Sequence, residues 1–270
     1  MMQANSPTTT PAPGSGELDV LGTRLQCTSY DQFIAFCQWR ARQPGVIAVD
    51  FTNTHIVTLR RHDAAFRGIT SCFDYFIPDA MPLIWVLNRL GAGLRDRVYG
   101  PTFMRRCVLA SGARWTHYFL GGSVECLSGL KEFFLRQNPT VQIVGSRNGY
   151  FPPEAEGEII EEINRLAPDF IWIGLGTPKQ QEFIFRHKAA LRRGIVLAVG
   201  FAFDVNAGTK KDAPSWMQRA GLTWLYRVCH EPRRLGARYV KYNSLFMGYL
   251  VRDAFSSRRK AGDRRIERGP

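Results

Sequence analysis

Strand-like and helix-like runs alternate through most of this chain, and that alternation limits its fold more than any other feature. Residues 46–51 (VIAVDF) are β-rich behind a Pro44-Gly45 break, and 115–120, 141–144, 170–175 and 195–199 read as four more strands. Helices are predicted over 31–43, 124–137, 153–166 and about 179–191, where apolar residues recur three and four positions apart, as Leu127, Leu130 and Phe134 do. Such repetition implies an α/β fold: a mostly parallel sheet with helices on both faces. Ligands of such sheets bind at the C-terminal ends of the strands.

That rule singles out five loops. Asn53 follows the first predicted strand. Gly121-Gly122-Ser123 follows the second and opens a helix, so its N–H groups either cradle a phosphate or make a tight turn. The third strand leads into residues 145–151, where Tyr150 either stacks on a planar ring or fills core. The fourth runs into GLGTPKQQ, placing Lys179 and Gln180 either at the crevice or on a solvated helix start; the spacing is not that of a dinucleotide fingerprint. Asp204, after the fifth, either accepts from a sugar hydroxyl or anchors its loop.

A further acid stands out in YFIPDAMPLIW, residues 75–85. Asp79 lies between two prolines in an otherwise apolar run, where a carboxylate costs free energy unless it is partnered or faces a cleft. It either caps a helix starting near Pro82 or serves as a base. Arg97 either neutralises a phosphate or forms a surface ion pair with Asp96. No CxxC, HxxxH, HExxH or DxD spacing marks a metal site, and the six scattered cysteines suit a reducing cytoplasm. No apolar run is long enough to cross a membrane. Residues 1–17 read as an unstructured lead-in without the features of a signal peptide. The net charge of +13 is concentrated late, with 15 Lys and Arg against 5 Asp and Glu from Lys210 onward. There arginines interleave with aromatics around Trp224–Arg227, and an apolar stripe at helical spacing reaches Phe255. Such a helix lies either on an anionic membrane surface or against the core. A basic, unstructured tail is expected over 256–270.

Eight segments in order, FTNTHIV, IPDAMPLIW, LRDRVYGP, YFLGG, VGSRNGYF, IWIGLGTPKQQEF, GFAFDVNAG and GLTWLYRVCHEPRRL, resemble the WecG/TagA/CpsF family of bacterial glycosyltransferases, family 26. The resemblance covers about Leu18–Phe255 and is strongest to the xanthan-type exopolysaccharide β-glucosyltransferase branch. It implies a Rossmann-like core over 18–212 and a helical appendage over 213–255 that meets acceptor and membrane. It also implies inverting, metal-independent transfer from a UDP-sugar to a polyprenyl-diphosphate-linked sugar, without a cofactor, on the cytoplasmic face of the membrane. Glucose is the donor sugar the branch implies; N-acetylmannosamine and its uronic acid are the family's alternatives.

Carried onto this sequence, the resemblance makes Asp79 the base, with Asn53 and Arg97 beside it. Gln180 falls on the donor side, where Gly121, Gly122, Tyr150, Lys179 and Asp204 are also candidates. Arg227 and Arg234 fall on the acceptor diphosphate, with Arg238 next to Ala237, where a third arginine is usual. Further departures are Phe51 for a threonine, Ala80 for a glycine, an additional glutamine after Pro178-Lys179-Gln180, and Phe201-Ala202 for a glycine pair. Two other classes are weighed against this reading. A nicotinamide-dependent oxidoreductase lacks its glycine fingerprint, and a nucleic-acid binder has the charge but no recognisable module, so no nucleic-acid partner is expected. A homo-oligomer is compatible with the sequence.

Overall fold

The structure, a computed structural model, describes residues 10–266. The expected lead-in before residue 10, the side chain of Arg234 and the side chains past Phe255 lie outside the described residues. Eight strands form one sheet: β1 (Gly16–Val20), β2 (Thr23–Cys27), β3 (Gly45–Thr52), β4 (Tyr75–Pro78), β5 (Thr116–Gly121), β6 (Gln142–Arg147), β7 (Phe170–Gly174) and β8 (Arg193–Ala198). Their order is β1-β2-β4-β3-β8-β7-β5-β6. Only the β1–β2 hairpin is antiparallel. The helices are α1 (Tyr30–Arg40), α2 (Thr54–His62), α3 (Ala64–Ile69), α4 (Met81–Arg89), α5 (Gly100–Ser111) and α6 (Val124–Gln137), then α7 (Glu156–Leu166), α8 (Lys179–His187), α9 (Ala202–Ala207), α10 (Ser215–Arg219), α11 (Thr223–His230) and α12 (Pro232–Ile266). This is the α/β architecture that the alternating runs predict, and the Rossmann-like one that the resemblance implies.

Strand periodicity divides the core into two halves. Ile47, Val49 and Phe51 of β3 with Ile195 and Leu197 of β8 face α1, α5 and α6. Ala48, Val196 and Ala198 point to the other face, toward α2, α4, α7 and α8. Strands covered on both faces read as unbroken apolar runs, which is why β3, β5, β7 and β8 stand out in the sequence.

Other elements depart from expectation. The hairpin starts at Gly16, inside the segment read as a lead-in. β6 runs on to Arg147, so Gly145 and Ser146 are strand, not loop. Helix α12 continues past Ser256 to Ile266, which corrects the expectation of an unstructured tail from that point. The run of Arg, Lys and Ala there favours helix.

Helices α11 and α12 fold back over the strand ends. Helix α12 crosses α2, where Thr54 Oγ1 meets Asn243 Oδ1 at 3.4 Å, His62 Nδ1 meets the Tyr249 hydroxyl at 3.0 Å, and Arg61 pairs with Asp253 at 3.4 Å. Since α2 starts directly after β3, this docking sets α11 and α12 above the C-terminal end of the sheet.

Candidate active site

A cleft of about 460 Å³ opens at that end, between the strand tips and α11–α12. Asp79 lies on its wall, on the turn from β4 to α4. The register of β4 beside β3 fixes this turn: Asp79 N–H donates to the Thr52 carbonyl at 2.8 Å. Asp79 does not cap α4, whose N-cap is Ala80 with no side-chain bond. Instead its Oδ1 accepts from the backbone N–H of Gly100 at 2.5 Å, at the start of α5. The residue keeps some contact with cleft water, but protein surrounds it densely on its other sides. Burial therefore dominates and lifts its pKa from 3.8 to about 7, against the opposing pull of Arg97, the Gly100 N–H and Arg227; Asp50 adds to the rise. A carboxyl half-ionised near neutrality is matched to accepting a proton there.

Arg97 is buried and turned inward. Its Nη1 donates to the Asp79 carbonyl oxygen at 3.2 Å and its Nη2 to Gln218 Oε1 at 3.1 Å, while the guanidinium lies 4.0 Å from the Tyr99 ring centre. The Asp96 carboxylate accepts from the Arg97 backbone N–H at 2.8 Å, so the alternative of an Asp96–Arg97 side-chain pair does not hold. Asp212 closes the network by accepting from the Tyr99 hydroxyl at 2.7 Å and from Gln218 Nε2 at 3.1 Å. Through these bonds α10 and the loop before it hold Arg97 in place.

Asn53 lines the cleft and caps α2, accepting from Ile56 N–H at 3.2 Å. Lys179 and Gln180 enter from the start of α8. Gln180 is buried and accepts from the Gly176 N–H at 3.2 Å, which shapes the loop after β7. Arg227 and Arg238 face the cleft from the appendage. The Arg227 guanidinium stacks 4.2 Å over Phe201, and its buried Nε has no protein partner. Phe201, one of the departures, thus becomes a platform for an arginine with a donor to spare. His55 lies on the cleft wall, and burial and the nearby Arg238 charge lower its pKa to about 4, so it is neutral at pH 7.

Four predicted site residues do not line this cleft. A Cβ on Gly121 would meet the Gly174 backbone at 2.5 Å, and one on Gly122 would meet Cys126 Sγ at 2.9 Å. The Gly122 N–H points to Gly174 O at 3.4 Å. These glycines allow close packing, as the tight-turn reading has it. Tyr150 is 82% exposed on the β6 side. Asp204 accepts from Thr209 Oγ1 at 3.0 Å and lies 3.9 Å from Lys210, anchoring its loop. Arg234 belongs to α12, with its side chain outside the described residues.

Sequence reasoning passed over Asp50. It is fully buried on β3, accepting from Thr52 Oγ1 at 2.5 Å and from Gln181 Nε2 at 2.7 Å. Burial raises its pKa to about 6 against those two bonds and the Arg60 charge. The additional glutamine of PKQQE is therefore the residue that ties α8 to β3. A lone acid in an apolar run is the same signal that marked Asp79.

The strand ends of this sheet thus bring together a carboxyl with a pKa near neutrality and several cationic side chains in one cleft. The family model of the Glycosyl transferase WecG/TagA/CpsF family matches residues 18–260, and the chain belongs to that family. It is also similar to two curated proteins of Staphylococcus aureus, from strains MRSA252 and MW2, each named N-acetylglucosaminyldiphosphoundecaprenol N-acetyl-beta-D-mannosaminyltransferase. Each is 24% identical over 224 residues, covering 82% of this chain and 88% of the relative. Among the described residues, no helix is long and apolar enough to cross a membrane.

Proposed function

We propose that this glycosyltransferase moves N-acetylmannosamine from its UDP derivative to a sugar, N-acetylglucosamine in the first instance, carried on a polyprenyl diphosphate. The similar Staphylococcus aureus proteins are N-acetylmannosaminyltransferases, which favours this donor over glucose, the sugar that branch resemblance alone implies. The observation that carries the catalytic reading is Asp79: a carboxyl with a pKa of about 7, held in the cleft by Gly100 and faced by cationic side chains.

The acceptor hydroxyl attacks C1 of the donor sugar from the side opposite UDP. Asp79 takes the hydroxyl proton as the new C–O bond forms. The bond from C1 to the diphosphate breaks, its electron pair leaves on UDP, and the anomeric configuration inverts. Lys179, at the start of α8 on the cleft wall, serves the leaving diphosphate. Arg227 and Arg238, with Arg234 from the same segment, hold the diphosphate of the acceptor lipid. Arg97 keeps the Asp79 turn in place and adds positive charge. The basic appendage holds the enzyme on the anionic inner face of the cell membrane, where a lipid-linked intermediate of envelope or exopolysaccharide assembly is presented.

The test incubates the purified enzyme with a short-chain polyprenyl-diphosphate-N-acetylglucosamine and, in parallel, UDP-N-acetylmannosamine, its uronic acid and UDP-glucose. Acceptor-dependent UDP release and the matching product mass are expected with UDP-N-acetylmannosamine. Release with UDP-glucose alone restores the glucose reading. No release with any donor, with lipid vesicles present, overturns the proposal.

A further inference from the structure

A second cavity of about 400 Å³ adjoins the cleft and shares Thr54, Pro82 and Trp224 with it. It runs between α4 and α12 over Trp85, Val86, Phe246, Met247 and Leu250. Its wall is almost without polar groups: the Thr54 hydroxyl and the Asn243 side chain are engaged with each other at 3.4 Å, and among the described residues Arg89 is the one charged lining residue. Trp85 and Met247 are 48% and 58% exposed, so the groove presents large apolar side chains to solvent. Gly221, at the turn between α10 and α11, makes room for the indole: a Cβ there would lie 2.8 Å from the Trp85 ring.

We infer that this groove binds the first isoprene units of the acceptor lipid, running from the diphosphate in the cleft toward the membrane. The assignment rests on the proposed reaction for the identity of the acceptor, and on the groove for everything else. A peptide laid here would leave its backbone N–H and C=O groups without partners, whereas a polyprenyl chain has none to satisfy. The groove's inner end opens where the lipid diphosphate is held, so the chain enters without crossing polar ground. Its outer end passes onto Val251, 51% exposed one turn of α12 further on. Recognition of the acceptor would then combine a cationic site for diphosphate with an apolar track for the chain behind it.

The full-length protein, without vesicles, is titrated with inorganic diphosphate and with geranyl diphosphate, following total tryptophan emission, to which Trp85 and Trp224 beside the groove contribute. Each methylene moved out of water is worth several-fold in affinity, so geranyl diphosphate should bind at least about tenfold more tightly. Met247→Glu, at an exposed position, should remove most of that gain and leave inorganic diphosphate unchanged. Trp85→Gln, read by calorimetry, is the second variant should the first fold poorly. Equal affinities for the two probes, or a full gain surviving in both folded variants, overturn the groove. Absence of sugar transfer with the geranyl preference and its loss in the variants intact would remove the proposed reaction and leave the groove standing; transfer without the preference would do the reverse.

Discussion

Replacing Asp79 by Asn should stabilise the protein while disabling it. A carboxyl moved from 3.8 to about 7 carries an ionisation penalty of roughly 4 kcal/mol, at about 1.4 kcal/mol per tenfold. Cleft water screens part of this, leaving roughly 2–4 kcal/mol. The folded pKa lies above the unfolded one, so the fold favours the protonated acid. That preference is fully present below 3.8 and is lost as pH rises through about 7, where the ionised group must stay buried. Asparagine keeps an oxygen for the Gly100 N–H and never ionises. Asp79→Asn should therefore melt roughly 4–16 °C above wild type near pH 8, and the gap should close toward zero near pH 4. Thermal unfolding followed by circular dichroism at the two pH values measures this. A gap that does not change with pH, or a variant less stable than wild type near pH 8, would refute the argument that burial controls this carboxyl.

Two further outcomes follow from the same geometry. Gly121→Ala places a Cβ 2.5 Å from the Gly174 backbone at a φ of +138°, and should cost about 2–4 kcal/mol, read as a melting temperature lowered by about 5 °C or more; an unchanged melting temperature would show that β5 and β7 tolerate the side chain. Arg227 holds the Asp79 pKa down, so Arg227→Gln should move the acid limb of the kcat/KM profile to higher pH and raise the acceptor KM about tenfold; an unmoved limb would separate the two groups.

Legibility in the sequence tracks burial, with the half-buried edge strand β6, also read from its sequence, as the exception. Strands β3, β5, β7 and β8 are covered on both faces, and their apolar runs announce them. The hairpin GELDV–TRLQC at the sheet edge alternates polar and apolar residues, leaves no apolar run to read, and begins inside the segment read as a lead-in. β4 has only four residues and ends in Pro78, too short a run to register, although it carries Asp79 to the cleft. The site divides in the same way. Asp79, Asn53, Arg97, Lys179, Gln180, Arg227 and Arg238 meet in one cleft. Gln218, which holds Arg97, and Asp212, which holds Gln218, gave no signal because a hydrogen-bond partner distant in sequence leaves no spacing to read; Asp50, bonded to Gln181, is instead a lone acid in an apolar run like Asp79. The glycine pair after β5 shows the converse: its motif is plain, but the backbone contact with Gly174 explains it.

Turnover of Asp79→Asn against wild type, with UDP affinity measured on the same preparations by calorimetry, tests the central claim most directly. Loss of the base should lower kcat by about 10²–10⁴-fold, while UDP binds within a few-fold of wild type. A variant that transfers sugar at close to the wild-type rate would contradict the assignment of Asp79 as the base, and with it the mechanism built on this cleft.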